Sequence, residues 1–223
     1  MAGLAIGLLC GLSACVGQAS DQEPVWTRAA VHLSGVSCGT PEAGMGAIIG
    51  DDLILTSGHV VLAMQSLNVL LPSGESVEGK VLHIDRERDV ALVHAPVSTS
   101  FTPEIRDAAV DEAGVIALLD KKAIAESESF TVTGRITART ENVGRSKMIQ
   151  RPSLELLAEI KRGDSGAALW VGDEENAAIV GVIWAVSTTD ERVFAVQGDE
   201  VAEVVNEGRE LASGPGTCER ARL

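Results

Sequence analysis

From residue 28 onward the hydrophobic positions fall into short runs of four to nine residues, each bounded by turn-forming side chains. Residues 29–34 and 47–55, the latter broken at Gly50-Asp51, predict two strands and a hairpin turn. The run 67–71 leads into Pro72-Ser73-Gly74, a turn signal, and 77–84 and 90–93 follow as strands. Residues 98–111 are less patterned and predict a linker between two halves. The second half repeats the style, with strands predicted at 115–118, 130–137, 154–157, 167–171, 178–186 and 193–196. Only residues 200–211 carry helical spacing, through Val201, Val204, Val205 and Leu211, with Asp199 as N-cap and Ser213-Gly214-Pro215-Gly216 as the stop. Many short strands with closely spaced turns predict an all-β barrel or sandwich rather than alternating α/β units.

Composition narrows this picture. The 223 residues can form one large domain or two small barrels sharing an interface. Hydrophobic residues at 45% and charged residues at 22% are those of a globular chain rather than a disordered one. Aromatics are only 3%, with no tyrosine, so aliphatic side chains must fill the core. A net charge of −14 argues against a nucleic-acid partner, which needs a basic face. The acidity favours cationic substrates or partners weakly, and it also serves simple solubility.

The N-terminus reads as a targeting segment. Residues 3–14 are small and aliphatic, and the first charged side chain is Asp21. Such a run is too short for a membrane-spanning helix, which needs ~20 residues, and fits the apolar core of a secretory signal. Leu12-Ser13-Ala14-Cys15 resembles the lipobox of bacterial lipoproteins, which implies lipidation of Cys15 and an exported protein held at the cell envelope by its acyl chains. Val16 resembles the sorting position of outer-membrane lipoproteins. The alternative is a cleaved signal and a secreted chain. The expected division is a signal at 1–14, a tether at 15–27, a folded domain at 28–213 and a tail at 214–223. Cys10 would leave with the signal, so Cys38 and Cys218 remain as a disulfide pair or as two free thiols. No CxxC or HExxH pattern is present, and neither metal nor cofactor is expected.

Three segments carry chemistry: Thr56-Ser57-Gly58-His59-Val60, Asp89-Val90-Ala91-Leu92-Val93, and Gly163-Asp164-Ser165-Gly166. A serine hydroxyl is a weak nucleophile until an imidazole removes its proton, and the imidazole needs a carboxylate to fix its tautomer. An oxyanion needs backbone N–H donors, for which Gly163 and Ser165 are the candidates. Each segment alone is a soft signal; their joint occurrence in the order His, Asp, Ser is a strong one. His32, His83 and His94 lack a matching serine motif and are read as structural or surface residues.

On these residues the chain resembles the trypsin-like, chymotrypsin-fold serine peptidases, and within them the compact bacterial branch that includes the HtrA-type proteases. TSGHV, DVALV and GDSGA stand where the family has T-x-x-H, D-[IVL]-A-[LV] and G-[DN]-S-G-G. Residues 44–49 resemble the strand before the histidine, and 180–183 the strand lining the substrate cleft. The spacings, about 30 residues from His59 to Asp89 and about 76 from Asp89 to Ser165, resemble the short-looped bacterial members. The resemblance implies two antiparallel six-stranded β-barrels (about 28–100 and 112–198), a C-terminal helix at about 199–212, and a catalytic triad of His59, Asp89 and Ser165 at their interface. It implies a serine endopeptidase acting on protein or peptide substrates. Ala167 departs from the family's second glycine, and no PDZ-like extension follows, so peptide sensing is not implied.

By the same resemblance Glu159 forms the base of the S1 pocket and would attract Lys or Arg at P1, with Trp184, Ala185 and Val186 along the cleft. Arg192 would fall on the opposite wall and neutralise Glu159 if the two pair; alternatively Glu159 lies on a surface loop. The partner of Asp164 is not identified. Competing readings are a non-catalytic binding protein on the same fold and a chaperone-like role. An α/β-hydrolase is disfavoured, because it would show G-x-S-x-G and the order Ser, Asp, His.

Overall fold

Turn residues cut the chain into strands too short to bury a face alone, and two closed antiparallel sheets solve that problem. The computed structural model describes residues 23–37, 39–187 and 192–208. The expected signal at 1–14, the expected lipidation site Cys15, the candidate disulfide residues Cys38 and Cys218, and the expected tail at 214–223 lie outside these residues.

The described chain opens with α1 (Val25–Ala29), inside the segment expected to be a tether. Val25 is buried and its N–H donates to Glu174 Oε2 at 2.8 Å, so this turn already belongs to the folded body. Strands β1 (Ala30–Ser37), β2 (Thr40–Gly50) and β3 (Leu53–Ser57) follow, then a single helical turn α2 (Gly58–Val61). Strands β4 (Met64–Leu70), β5 (Ser76–Asp85) and β6 (Val90–His94) complete a closed barrel in the order β1-β2-β3-β6-β5-β4.

The run Val90-Ala91-Leu92-Val93 shows why this barrel needs a partner. Ala91 and Val93 point into its interior with Val31, Leu33, Ile54, Val69 and Val81. Val90 and Leu92 point the other way, into a cluster shared with Ile179, Val182 and Val196 of the second half. A strand buried on both faces is apolar throughout, which is why this one does not alternate.

The second half contains β7 (Glu104–Ile105), β8 (Ala113–Leu119), β9 (Ala125–Glu141), β10 (Met148–Ala158), β11 (Ala168–Val171), β12 (Ala178–Val186) and β13 (Arg192–Gln197). Six of them pair in the order β11-β8-β9-β10-β13-β12, and β12 returns to β11. β7, within the expected linker, adds to β12 in parallel. The expected all-β fold of two six-stranded units is observed, with β7 as an outer addition.

Helix α3 (Gly198–Gly208) seals the seam between the two units. Val201, Val204 and Val205 enter the shared cluster beside Leu92, Val182 and Val196. The helix begins earlier than its spacing predicted: Asp199 sits in the first turn, where its Oδ1 accepts the Glu200 N–H, rather than at the N-cap. A side chain at Gly198 would place Cβ 1.9 Å from the Arg106 carbonyl oxygen, so the strand-to-helix junction requires glycine.

Candidate active site

Strand register brings His59 and Asp89 together. β3 and β6 run antiparallel with Ser57 opposite Val90, so the residues just beyond Ser57 meet the residue just before Val90. Gly58 N–H donates to the Asp89 carbonyl at 3.1 Å, and His59 N–H donates to Asp89 Oδ1 at 2.8 Å. The imidazole Nδ1 lies 2.9 Å from Asp89 Oδ2 and 3.1 Å from Oδ1. A Cβ on Gly58 would sit 3.2 Å from Asp89 Oδ1, a tight approach that the glycine relieves. Asp89 itself has φ 62°, a left-handed conformation that aspartate tolerates better than most residues. The β5–β6 turn holds it there: Asp89 N–H donates to Asp85 O, and Asp85 Oδ1 accepts the N–H groups of Glu87 and Arg88.

Ser165 lies in the turn between β10 and β11, and the second barrel delivers that turn to the first. Met45 N–H donates to the Ser165 carbonyl at 2.8 Å, and Thr56 Oγ donates to the Met45 carbonyl at 2.6 Å. The Ile183 carbonyl accepts both Gly166 N–H at 2.8 Å and Ser57 Oγ at 2.6 Å. The residue two before His59 and the residue after Ser165 therefore share one acceptor. At Gly44 a Cβ would collide with both Val60, next to the histidine, and the Ser165 carbonyl. Two glycines shape the turn itself, Gly163 at φ 101° and Gly166 at φ 89°. The N–H groups of Asp164, Gly166 and Ala167 are spent on backbone carbonyls, whereas those of Gly163 and Ser165 have no backbone acceptor among the described residues. Among the described residues the hydrogen bonds of the His59 ring run to Asp89, and none runs to Ser165.

The pair is electrostatically biased. Burial pushes the His59 imidazole down, but the hydrogen bond and charge of Asp89 outweigh it and hold the group above its ordinary 6.5. Arg151 opposes the rise and Glu42 assists it. The His59 side chain remains 38% exposed while Asp89 is 4% exposed, so the imidazole has one solvent edge and a buried anchor. Asp164 is buried, and burial raises its carboxyl above the ordinary 3.8, helped by Glu126 and Glu128. Its partner is local: Oδ2 accepts the Lys161 N–H at 2.8 Å.

A cleft of about 970 Å³ opens beside this turn. Glu126, Glu128, Glu159 and Asp164 face it with a single lysine, Lys161, over an apolar wall that includes Phe130 and Leu157. Glu159 is exposed there, and Val186 lines the cleft from β12. Arg192 forms an ion pair with Glu155 at 3.3 Å, and its guanidinium lies over Phe194. This pairing runs between β10 and β13. Trp184 and Ala185 are half-buried on β12, and the Trp184 ring meets Phe194 at 6.1 Å.

Sequence reasoning missed Arg151. It is 2% exposed on β10, and its Nη1 lies 3.5 Å from Asp89 Oδ2. The alternation Ile149, Arg151, Ser153 is the one signal that could have turned it inward.

The family model described as "Trypsin-like peptidase domain" matches residues 44–182, which include all three motifs. Among curated proteins, the "Serine protease Do-like HtrA" of Lactobacillus helveticus is 28% identical over 164 residues, 71% of this chain and 40% of that one. "Serine protease HTRA1A" of Danio rerio is 26% identical over 186 residues, 80% of this chain and 37% of that one. The chain thus spans about two-fifths of the length of these relatives. Among solved structures, the active form of the Rv3671c protease from M. tuberculosis superimposes with TM-score 0.72 at 21% identity, covering 86% of each chain. The HtrA-type protease AlgW with tripeptide gives TM-score 0.67 at 17% identity, covering 81% of this chain and 60% of that one. At these identities the structural likeness speaks for the fold, and the family match speaks for descent. With the double barrel, the motifs and the match over most of its length in agreement, this chain belongs to the trypsin-like peptidase domain family.

Proposed function

We infer that the protein is a serine endopeptidase with Ser165 as nucleophile, His59 as general base and acid, and Asp89 as the orienting carboxylate. The observation that carries this reading is the Asp89 carboxylate bound at once to the backbone N–H and the Nδ1 of His59. That grip leaves Nε2 as the basic nitrogen. His59 takes the Ser165 proton as Oγ attacks the scissile carbonyl, and the oxyanion is received by the N–H groups of Gly163 and Ser165. The proton then passes to the leaving amine, and water activated by the same imidazole releases the acyl group from Ser165. The acidic cleft supports a substrate with lysine or arginine at P1, facing Glu159 and its neighbours.

One observation favours a binding protein on the same fold: His59 makes no hydrogen bond to Ser165. Such contacts often tighten only around substrate, so catalysis remains the better reading. Incubation with unfolded casein separates the two. New α-amino groups should accumulate with the parent and not with Ser165→Ala, and a folded parent that releases none would leave only binding.

The N-terminal residues support export and a lipid anchor on Cys15. Metabolic labelling with an alkyne fatty acid should mark the parent and not Cys15→Ala; an unlabelled, shortened chain would mean a cleaved signal instead.

A further inference from the structure

We propose that Arg151 is a positioning residue, which joins the Asp89 carboxylate of the first barrel to the Trp184 indole of the second so that the histidine–aspartate pair and the cleft strand are set as one unit. This rests on reading His59, Asp89 and Ser165 as a triad.

Arg151 reaches across the seam from β10 and grips the β5–β6 turn at two points. Its Nε donates to the Glu87 carbonyl at 2.8 Å, and Nη1 lies 3.5 Å from Asp89 Oδ2. Its guanidinium carbon stands 4.5 Å from the centre of the Trp184 ring. The flat cation is thus sandwiched between carboxylate and indole, an arrangement that a guanidinium fills and an ammonium does not.

Stability alone is a poor reason for this residue. A buried arginine with five donors normally finds acceptors for most of them. Here Nη2 has no acceptor among the described residues, and neither has Trp184 Nε1. Buried charges held this sparsely are often no better than apolar replacements of the same size. The arrangement does determine where the carboxylate points. Oδ1 is taken by the His59 N–H, and Oδ2 lies between imidazole Nδ1 and the guanidinium.

Electrostatics follow from the same geometry. The charged groups facing His59 are Asp89 from the β5–β6 turn, Arg151 from β10 and Glu42 from β2. Those facing Arg151 are Asp89 and Asp85, both from that turn. Arg151 therefore competes with the imidazolium for one carboxylate and keeps His59 in its neutral, basic form at lower pH than Asp89 alone would allow.

The test is an NMR titration of the His59 imidazole in the parent, Arg151→Gln and Arg151→Lys, alongside the pH dependence of kcat/KM. In R151Q the midpoint should rise by about one pH unit, and the acid limb of activity should rise with it. In R151K the charge returns and the midpoint should revert. The stack on Trp184 stays lost, so KM for extended peptides should rise about 2–5-fold. A folded R151Q with a parental His59 titration would overturn the proposal. Should R151Q not fold, R151K decides, and a parental KM there would overturn it. A His59 shift in a protein whose parent cleaves nothing would uphold the positioning role and overturn the triad reading instead.

Discussion

Asp89 holds His59 through two different atoms of the histidine: Oδ1 accepts its backbone N–H at 2.8 Å, and Oδ2 lies 2.9 Å from Nδ1 of its ring. One carboxylate thereby fixes both the position of the residue and the tautomer of its imidazole. Asn at this position keeps the left-handed backbone and one acceptor oxygen but loses the charge. Asp89→Asn should therefore fold, with kcat reduced on the order of 10³–10⁴-fold. Steady-state kinetics beside a thermal melt would check this; near-parental kcat would remove Asp89 from the mechanism.

The pH dependence follows from the same pair. A general base must be unprotonated, and Asp89 holds His59 above 6.5. The acid limb of kcat/KM should have an apparent pKa above 6.5. Stability moves the opposite way. The protonated pair contributes fully below 6.5, and its contribution fades as pH rises through the folded-state value. In a pH series, His59→Ala should thus lose more stability relative to the parent on the acid side of that value than on the alkaline side.

Asp164 carries the reverse lesson, that a buried carboxylate can be a cost. Its carboxyl is raised above 3.8 by burial and by Glu126 and Glu128, so ionisation at neutral pH weakens the fold. Asp164→Asn keeps an oxygen for the Lys161 N–H and removes the charge. It should raise Tm by about 2–4 °C at pH 8, the effect of ~1 kcal/mol in a domain of this size. The gain should vanish below pH 3.8 in melts of both proteins.

Gly163 and Gly166 share a positive φ but should fail differently. A Cβ on Gly166 would lie 2.2 Å from the Met45 carbonyl oxygen and 2.4 Å from Thr56 Oγ, the contacts that dock the serine turn on the first barrel. Gly166→Ala should cost more than about 2 kcal/mol in denaturant melts. At Gly163 a Cβ meets nothing within 4 Å, so only backbone strain opposes it. Gly163→Ala should fold with a loss of about 1–2 kcal/mol, while a displaced N–H lowers kcat by ~10²-fold.

Four carboxylates around one cleft predict its taste. A P1 peptide library should favour Lys and Arg, and Glu159→Gln should reduce that preference about 5-fold or more, the scale of a charge-assisted hydrogen bond. An unchanged P1 profile in E159Q would move Glu159 out of the specificity pocket.

The strands and the three motifs were legible because burial wrote them: apolar runs such as Val90–Val93 exist only where both faces are covered. The far end of β9 was not, since residues 138–141 are exposed or half-buried, without an apolar run, and are strand only through backbone pairing with β10. The same holds for the start of β2, where Thr40, Pro41 and Glu42 are exposed and pair with β1. Asp164 had no visible partner because a backbone N–H leaves no residue-type signature. Arg151 was hidden for a related reason, as a charged residue reads as surface until its carboxylate has been brought to it by the fold.

The central claim is an activated serine at position 165, and the most direct test is labelling of the full chain with a fluorophosphonate probe, the modified residue being located by peptide mass spectrometry. The account predicts a single adduct on Ser165, absent in Ser165→Ala and lost or greatly slowed in His59→Ala. A folded parent that takes no label, or a label that persists in S165A, would contradict it.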